Sequence, residues 1–247
     1  MGMWSSSGSM CNPNGERGRR YYALDVLRGL SIVLMVLYHW GYDLVLYGLI
    51  PAWVLYNPLL DALQLLFASV FVAISGASST FSHSNVRRGL RILACALVVS
   101  AVTFWFDPQE AIRFGILHFL GTAALLYALL APVLRRFPPN PVLCLVLFFL
   151  TRALTQPYYQ VHGLWWLGFR RPEFSSADYY PLLPWFFMYL FGVWLGEIVK
   201  RGKMPSWFYR VRLPFLEKVG SHTLIVYLFH QPVCMGLTLL LVKLCGQ

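Results

Sequence analysis

Histidines, a few carboxylates and clustered arginines are the residues of this chain that could do chemistry, and they sit within otherwise apolar sequence. The stretch Leu24-Asp-Val-Leu-Arg-Gly-Leu-Ser-Ile-Val-Leu-Met-Val-Leu-Tyr-His-Trp-Gly-Tyr-Asp-Leu44 is apolar enough to cross a bilayer, yet it carries Asp25, Arg28 and His39. Ionisable groups inside a membrane are costly, so they face a cavity or a partner and mark function by default. Arg28 and His39 are eleven residues apart. At about 100° per residue that is three turns, which leaves both on one helix face within ~20°, with a rise of roughly 16 Å between them. A snorkelling arginine and a core histidine would explain each residue taken singly. The pair on one face favours function.

Two further clusters have the right residue types. In Asn85-Val-Arg-Arg-Gly-Leu-Arg91, Arg88 and Arg91 are i,i+3 neighbours on one helix face, and Arg87 flanks them. Ordinary charge anchoring at the cytoplasmic surface accounts for such a run. The sharper reading is a phosphate clamp, because guanidinium forks match phosphate and a helix N-terminus adds free N–H donors. Arg28 extends that positive track inward. In Gly220-Ser-His-Thr-Leu-Ile-Val-Tyr-Leu-Phe-His-Gln-Pro232, Thr223, Tyr227 and His230 make one polar stripe at i, i+4 and i+7. Interhelical hydrogen bonding is the favoured reading of the stripe, and Pro232 predicts a kink of the kind that lines cavities. The small residues of Ser75-Gly-Ala-Ser-Ser79 read as a packing surface, since no base adjoins them in sequence.

The elements that must position these groups are membrane helices. Of 247 residues, 58% are hydrophobic and only 12% charged, which excludes an ordinary soluble domain. The net charge of +10 does not mark a nucleic-acid binder, because the basic residues sit in short loops between apolar runs. Cys11, Cys95, Cys144, Cys234 and Cys245 are scattered, without the spacing of a metal site or a disulfide framework, and read as small hydrophobes. No metal, haem, nucleotide or dinucleotide motif is present.

Residues 1–20 predict a disordered basic cytoplasmic tail rather than a cleavable signal peptide. Residues 21–247 predict a single all-α, polytopic membrane bundle of about seven helices, over roughly 22–45, 59–81, 88–106, 111–133, 140–155, 180–199 and 220–244. The fifth is the weakest span. With the N-terminus inside, inner segments carry fourteen Lys and Arg against five in outer ones, and Arg28 completes the twenty. That bias predicts a cytoplasmic N-terminus and an external C-terminus in the plasma membrane.

This topology sets depths. His39 falls ~24 Å above the inner edge of its span, and His118, in Phe114-Gly-Ile-Leu-His-Phe-Leu-Gly121, falls ~9 Å below the outer edge of its own. Both imidazoles are expected in one layer, with Asp43, Asp61 and Asp178 above them. A histidine beside a carboxylate or a second histidine is equipment for general-base work near neutral pH. The outer loop 156–179 is rich in aromatics, among them Tyr158, Tyr159, Trp165, Trp166, Phe169 and Tyr179. An interfacial belt is the favoured reading of these rings, and a platform for a sugar ring the alternative.

Several segments taken together, in order over residues 21–235, resemble the heparan-alpha-glucosaminide N-acetyltransferase catalytic-domain family in a short bacterial form, and more distantly the acyltransferase-3 family. They are Leu24-Asp-Val-Leu-Arg-Gly-Leu30 with Tyr38 and His39, the Arg88 and Arg91 turn, and Arg113-Phe-Gly-Ile-Leu-His-Phe-Leu-Gly121. Asp178-Tyr-Tyr-Pro-Leu-Leu-Pro-Trp185 with Gly192 and Gly196, and the terminal Tyr227 to Pro232, complete the set.

The resemblance implies an integral-membrane enzyme that moves an acyl group from cytoplasmic acetyl-CoA, or another acyl-CoA, to a hydroxyl or amine of a glycan or lipid-linked sugar at the outer face. No metal enters that chemistry. On that reading His39, His118 and Asp178 are the catalytic candidates and Arg28, Arg87, Arg88 and Arg91 bind the donor. Asp43, Asp61, Trp185 and His230 would meet the acceptor. Assembly of identical copies stays open. The competing expectation is a transporter or permease subunit for an anionic or sugar-linked molecule, with Arg28 and His39 lining its pathway.

Overall fold

The computed structural model describes residues 21–245, so the tail expected over residues 1–20 lies outside the described residues. Among them the chain forms helices α1 (Tyr22–Leu46), α2 (Pro58–Phe81), α3 (Asn85–Phe106), α4 (Ile116–Arg136), α5 (Pro141–Thr155), α6 (Leu182–Lys200), α7 (Ser206–Arg210), α8 (Pro214–Ser221) and α9 (Thr223–Leu244). The only strand-like pairing among the described residues is one bridge between Phe114 and Tyr179.

The polytopic helical bundle expected from composition is what the chain builds. Six of these helices, α1, α2, α3, α4, α6 and α9, are long and apolar enough to cross a membrane. Their outward faces carry large apolar side chains such as Leu97, Leu129 and Leu240, as a bilayer solvent requires. The fifth expected span, 140–155, is the exception in length. Helix α5 has 15 residues, about 22 Å of rise, which falls short of the ~30 Å hydrocarbon core. It packs along α6 and carries the chain back to the end of the bundle where Phe114 pairs with Tyr179.

Helix starts follow local sequence. The side chain of Asn57 accepts from the Leu60 N–H at the head of α2, Ser84 accepts from the Arg87 N–H at the head of α3, and Asn140 does the same service for α5. These are N-caps, which satisfy donors that the first helical turn leaves free. Helix α4 differs. Its N-cap is Gly115, with no side chain to offer.

Helix α2 is the centre of the packing. It runs along α6, while α1 leans on α2, α8 and α9, and α3 lies on α4. The α2–α6 approach is backbone to backbone: a Cβ built on Gly192 would stand 1.9 Å from the Ala73 carbonyl oxygen, a space only glycine leaves open. Val72, Phe119 and Tyr189, from α2, α4 and α6, are fully buried at the heart of the core.

Candidate active site

Helix α1 offers His39 toward its C-terminal end. The ring nitrogen Nδ1 lies 2.9 Å from the Met35 carbonyl oxygen, an acceptor only, so Nδ1 carries the proton and donates. The neutral ring then keeps its lone pair on Nε2. His230 of α9 is tied in the same way, with Nδ1 2.6 Å from the Tyr227 carbonyl oxygen. The two rings meet edge to face with centroids 5.1 Å apart. One pair of imidazoles, each with Nε2 unprotonated, thus joins α1 to α9.

Asp178 descends from the loop between α5 and α6 to the same place. Its Oδ2 accepts from the Ile116 N–H at 2.8 Å and from the Tyr227 hydroxyl at 2.9 Å. The carboxylate therefore supplies the cap that α4 lacks, and it faces the positive end of that helix. Gly115 makes room for it: a Cβ there would come within 2.3 Å of Oδ2. The loop is held in register by Phe114, whose carbonyl oxygen accepts from the Tyr180 N–H at 2.9 Å. Enclosure away from water raises the Asp178 carboxyl above the ordinary aspartate value, against the lowering effect of its two hydrogen bonds and of His39 and His118 nearby.

His39, Asp178 and Tyr227 share a cavity of about 430 Å³ between α1 and α2. His118 is buried and outside the cavity lining. The Ser100 hydroxyl donates to the Ile112 carbonyl oxygen, so Ser100 Oγ accepts from His118 Nε2 at 3.2 Å. That fixes the opposite tautomer from His39. The lone pair of His118 is on Nδ1, which has no hydrogen-bond partner among the described residues.

At the other end of the bundle two arginines converge on α2. The Arg28 guanidinium pairs with Asp25 at 2.8 Å and reaches the Gly220 carbonyl at 3.3 Å and the Ser78 hydroxyl. Arg88 donates to Ser75 Oγ at 2.7 Å, to Ser79 Oγ at 2.6 Å and twice to the Ser75 carbonyl at 3.2 Å. Ser79 in turn meets the Tyr189 hydroxyl. The serines expected only to permit close packing are also the seats of both guanidinium groups. Arg88 and Arg91, expected side by side on one face, part company: Arg88 turns into the bundle, while Arg87 and Arg91 stay exposed.

The remaining expected acceptor residues do not line the cavity with His39. Asp43 is buried and takes both oxygens to the Gln231 amide, at 3.0 and 3.2 Å. It locks α1 to α9 beside the histidine pair. Asp61 is exposed on the first turn of α2. Trp185 is a core residue packed on Phe148 and on Tyr180, which does line the cavity. In the aromatic loop, Trp165 stacks on Phe174 and Tyr159 meets Phe169 edge-on. These rings spend their faces largely on one another.

The sequence model of the heparan-alpha-glucosaminide N-acetyltransferase catalytic domain matches residues 20–232. The chain belongs to that family. No curated protein and no solved structure matches it. Family membership makes this a membrane-embedded transferase of the acetyltransferase kind, and acetyl-CoA is the donor the family uses in general. The matched segment takes in every residue of the arginine and histidine clusters described above. Sequence reasoning did not assign Tyr227 and Tyr180 to the site. Tyr227 had been visible as part of a polar stripe, and Tyr180 had no signal beyond its nearness to Asp178.

Proposed function

We propose that the protein transfers an acetyl group from acetyl-CoA to a hydroxyl or amine of a glycan or sugar-bearing lipid, with His39 as general base. The observation that carries this reading is the fixed tautomer of His39 at a cavity shared with Asp178 and Tyr227. Nε2 of His39 takes the proton as the acceptor oxygen or nitrogen bonds to the thioester carbonyl carbon. The carbon–sulfur bond breaks, and the proton held on His39 passes to the departing thiolate. Asp178 steadies the imidazolium that forms between these steps, while its bonds to Ile116 and Tyr227 keep it in place. His230 limits the positions that the His39 ring can adopt.

Donor phosphates meet Arg87 and Arg91, the exposed guanidinium groups at the head of α3. Arg88, occupied by Ser75 and Ser79, holds the helix that presents them. Arg28, bonded to Ser78, stands one turn below the cavity floor, where a donor passing to His39 must displace it. The loop charges support a cytoplasmic arginine end and an external histidine end in the plasma membrane. The test is acetyl transfer by purified protein from radiolabelled acetyl-CoA to an extract of membrane glycans and glycolipids. Label in a product that depends on the protein is the expected result. Hydrolysis alone, or no consumption of thioester, overturns the reading.

A further inference from the structure

The cavity at His39 has a pronounced division of polarity. Its polar lining gathers at His39, Asp178, Tyr180 and Tyr227, while Leu34, Leu37, Leu60, Leu63, Phe67 and Phe71 line most of the rest, with Tyr38 and Gln64 among them. Ser31 and Ile32 are 3% and 2% exposed at the arginine end, with Arg28 bonded across to Ser78 one turn below. At the other end Ile50, Val54 and Leu55 of the turn between α1 and α2 form a roof. The opening is on the flank: Leu37 lines the cavity and is 52% exposed, and Gln64 opposite it on α2 is exposed as well. In a membrane-spanning bundle that flank faces hydrocarbon.

We infer that this cavity holds the hydrocarbon chain of a lipid-borne acceptor, a sugar headgroup carried on a long alkyl or polyprenyl chain, which enters sideways from the bilayer between α1 and α2. The inference rests on the reading of His39 as the base and names the substrate class for that site. The apolar wall suits such a chain and does not suit a soluble glycan, whose many hydroxyls along Leu34, Leu60, Leu63 and Phe71 would lose water without gaining partners. A sugar on a chain divides as the cavity does. Its hydroxyl or amine meets His39 and Asp178, and its tail leaves past Leu37. The volume of about 430 Å³ is in the ~300–1,000 Å³ range of pockets that enclose small ligands, enough for the headgroup-proximal part of the chain.

The probe is a hexadecyl glucoside bearing a photoreactive diazirine in its chain, added to the full protein in phosphatidylcholine nanodiscs, with labelled peptides located by mass spectrometry. The expected label falls on residues 34–41 and 60–71, and excess hexadecyl glucoside removes it while methyl glucoside does not. Leu63→Trp, which fills the cavity, is expected to cut that label at least tenfold, whereas Leu59→Trp, on the exposed face of the same helix, leaves it unchanged and controls for folding. Label spread evenly over the outward faces of α3, α5 and α9 shows ordinary contact with surrounding lipid and overturns the inference. Removal of the label by palmitoyl-CoA at lower concentration than by hexadecyl glucoside assigns the chain to the donor and overturns it too. His39→Ala is expected to keep the label in place. Failure of the acetyltransferase reading is seen separately, as absent acetyl transfer with cavity labelling intact.

Discussion

At the scale of single residues, Asp178 does two jobs with one oxygen. It caps α4 through Ile116 and receives the Tyr227 hydroxyl. Tyr227→Phe removes one hydrogen bond to a charged acceptor, a loss of roughly 1.5–3 kcal/mol in stability, measurable as a lowered unfolding midpoint in detergent. Because enclosure raises the Asp178 carboxyl, it gains a proton, as pH falls, at a higher pH than the ~3.9 of a free aspartate. The rate of transfer is therefore expected to fall on the acid side through that raised value. In Asp178→Asn, which cannot ionise, the acid limb moves or disappears, along with part of the rate at neutral pH. An unchanged acid limb in well-folded Asp178→Asn protein assigns it to another group. This residue was legible as a carboxylate near the outer surface, but its role as a cap was not. The sequence around Gly115 and Ile116 offers α4 no capping side chain, so a foreign cap was needed; which of many carboxylates supplied it depends on a loop that folds back over more than sixty residues.

Helices were the most legible level, because an apolar run of membrane length has few other forms. The spans expected at 22–45, 59–81 and 88–106 became α1, α2 and α3 within a few residues, and the span expected at 140–155 became α5, with 15 residues the shortest of the seven. Pairing between helices was less legible. Ser79 and Arg88 flank the short turn between α2 and α3 at similar distances, which in a helical hairpin places them opposite each other. That spacing is a local signal for the pairing of Ser79 with Arg88. The consequence is a part in the fold for Arg88, a donor-binding candidate from sequence that is bonded to Ser75 and Ser79 inside the bundle. Arg88→Ala leaves Ser75 and Ser79 without their partner inside the bundle, and is expected to cost roughly 3 kcal/mol, seen as a lower thermal midpoint. Arg87→Ala with Arg91→Ala, both exposed, is expected to leave that midpoint unchanged and to raise the KM for acetyl-CoA, the mark of lost ground-state binding. A normal KM in that double variant removes these arginines from the donor site.

For the molecule as a whole, the account needs two ends of opposite use, with arginines facing the donor and histidines the acceptor. Orientation is tested by labelling Ser175→Cys, at an exposed loop position beyond α5, in a chain with its native cysteines replaced. Impermeant reagent is expected to reach it from outside the cell; reaction only from the cytoplasmic side reverses the topology. The meeting of His39 with His230 was beyond sequence reading, since it joins residues 191 positions apart on helices that no local pattern pairs. The central claim is that Nε2 of His39 takes the acceptor's proton, and the most direct measurement is the rate of acetyl transfer by His39→Ala beside donor binding measured by calorimetry. The expected result is a loss of two to four orders of magnitude in rate, about what removal of a general base costs, with acetyl-CoA affinity retained because the arginine end lies roughly 16 Å away along α1. Full transfer rate in His39→Ala, with a large loss in His118→Ala instead, contradicts it.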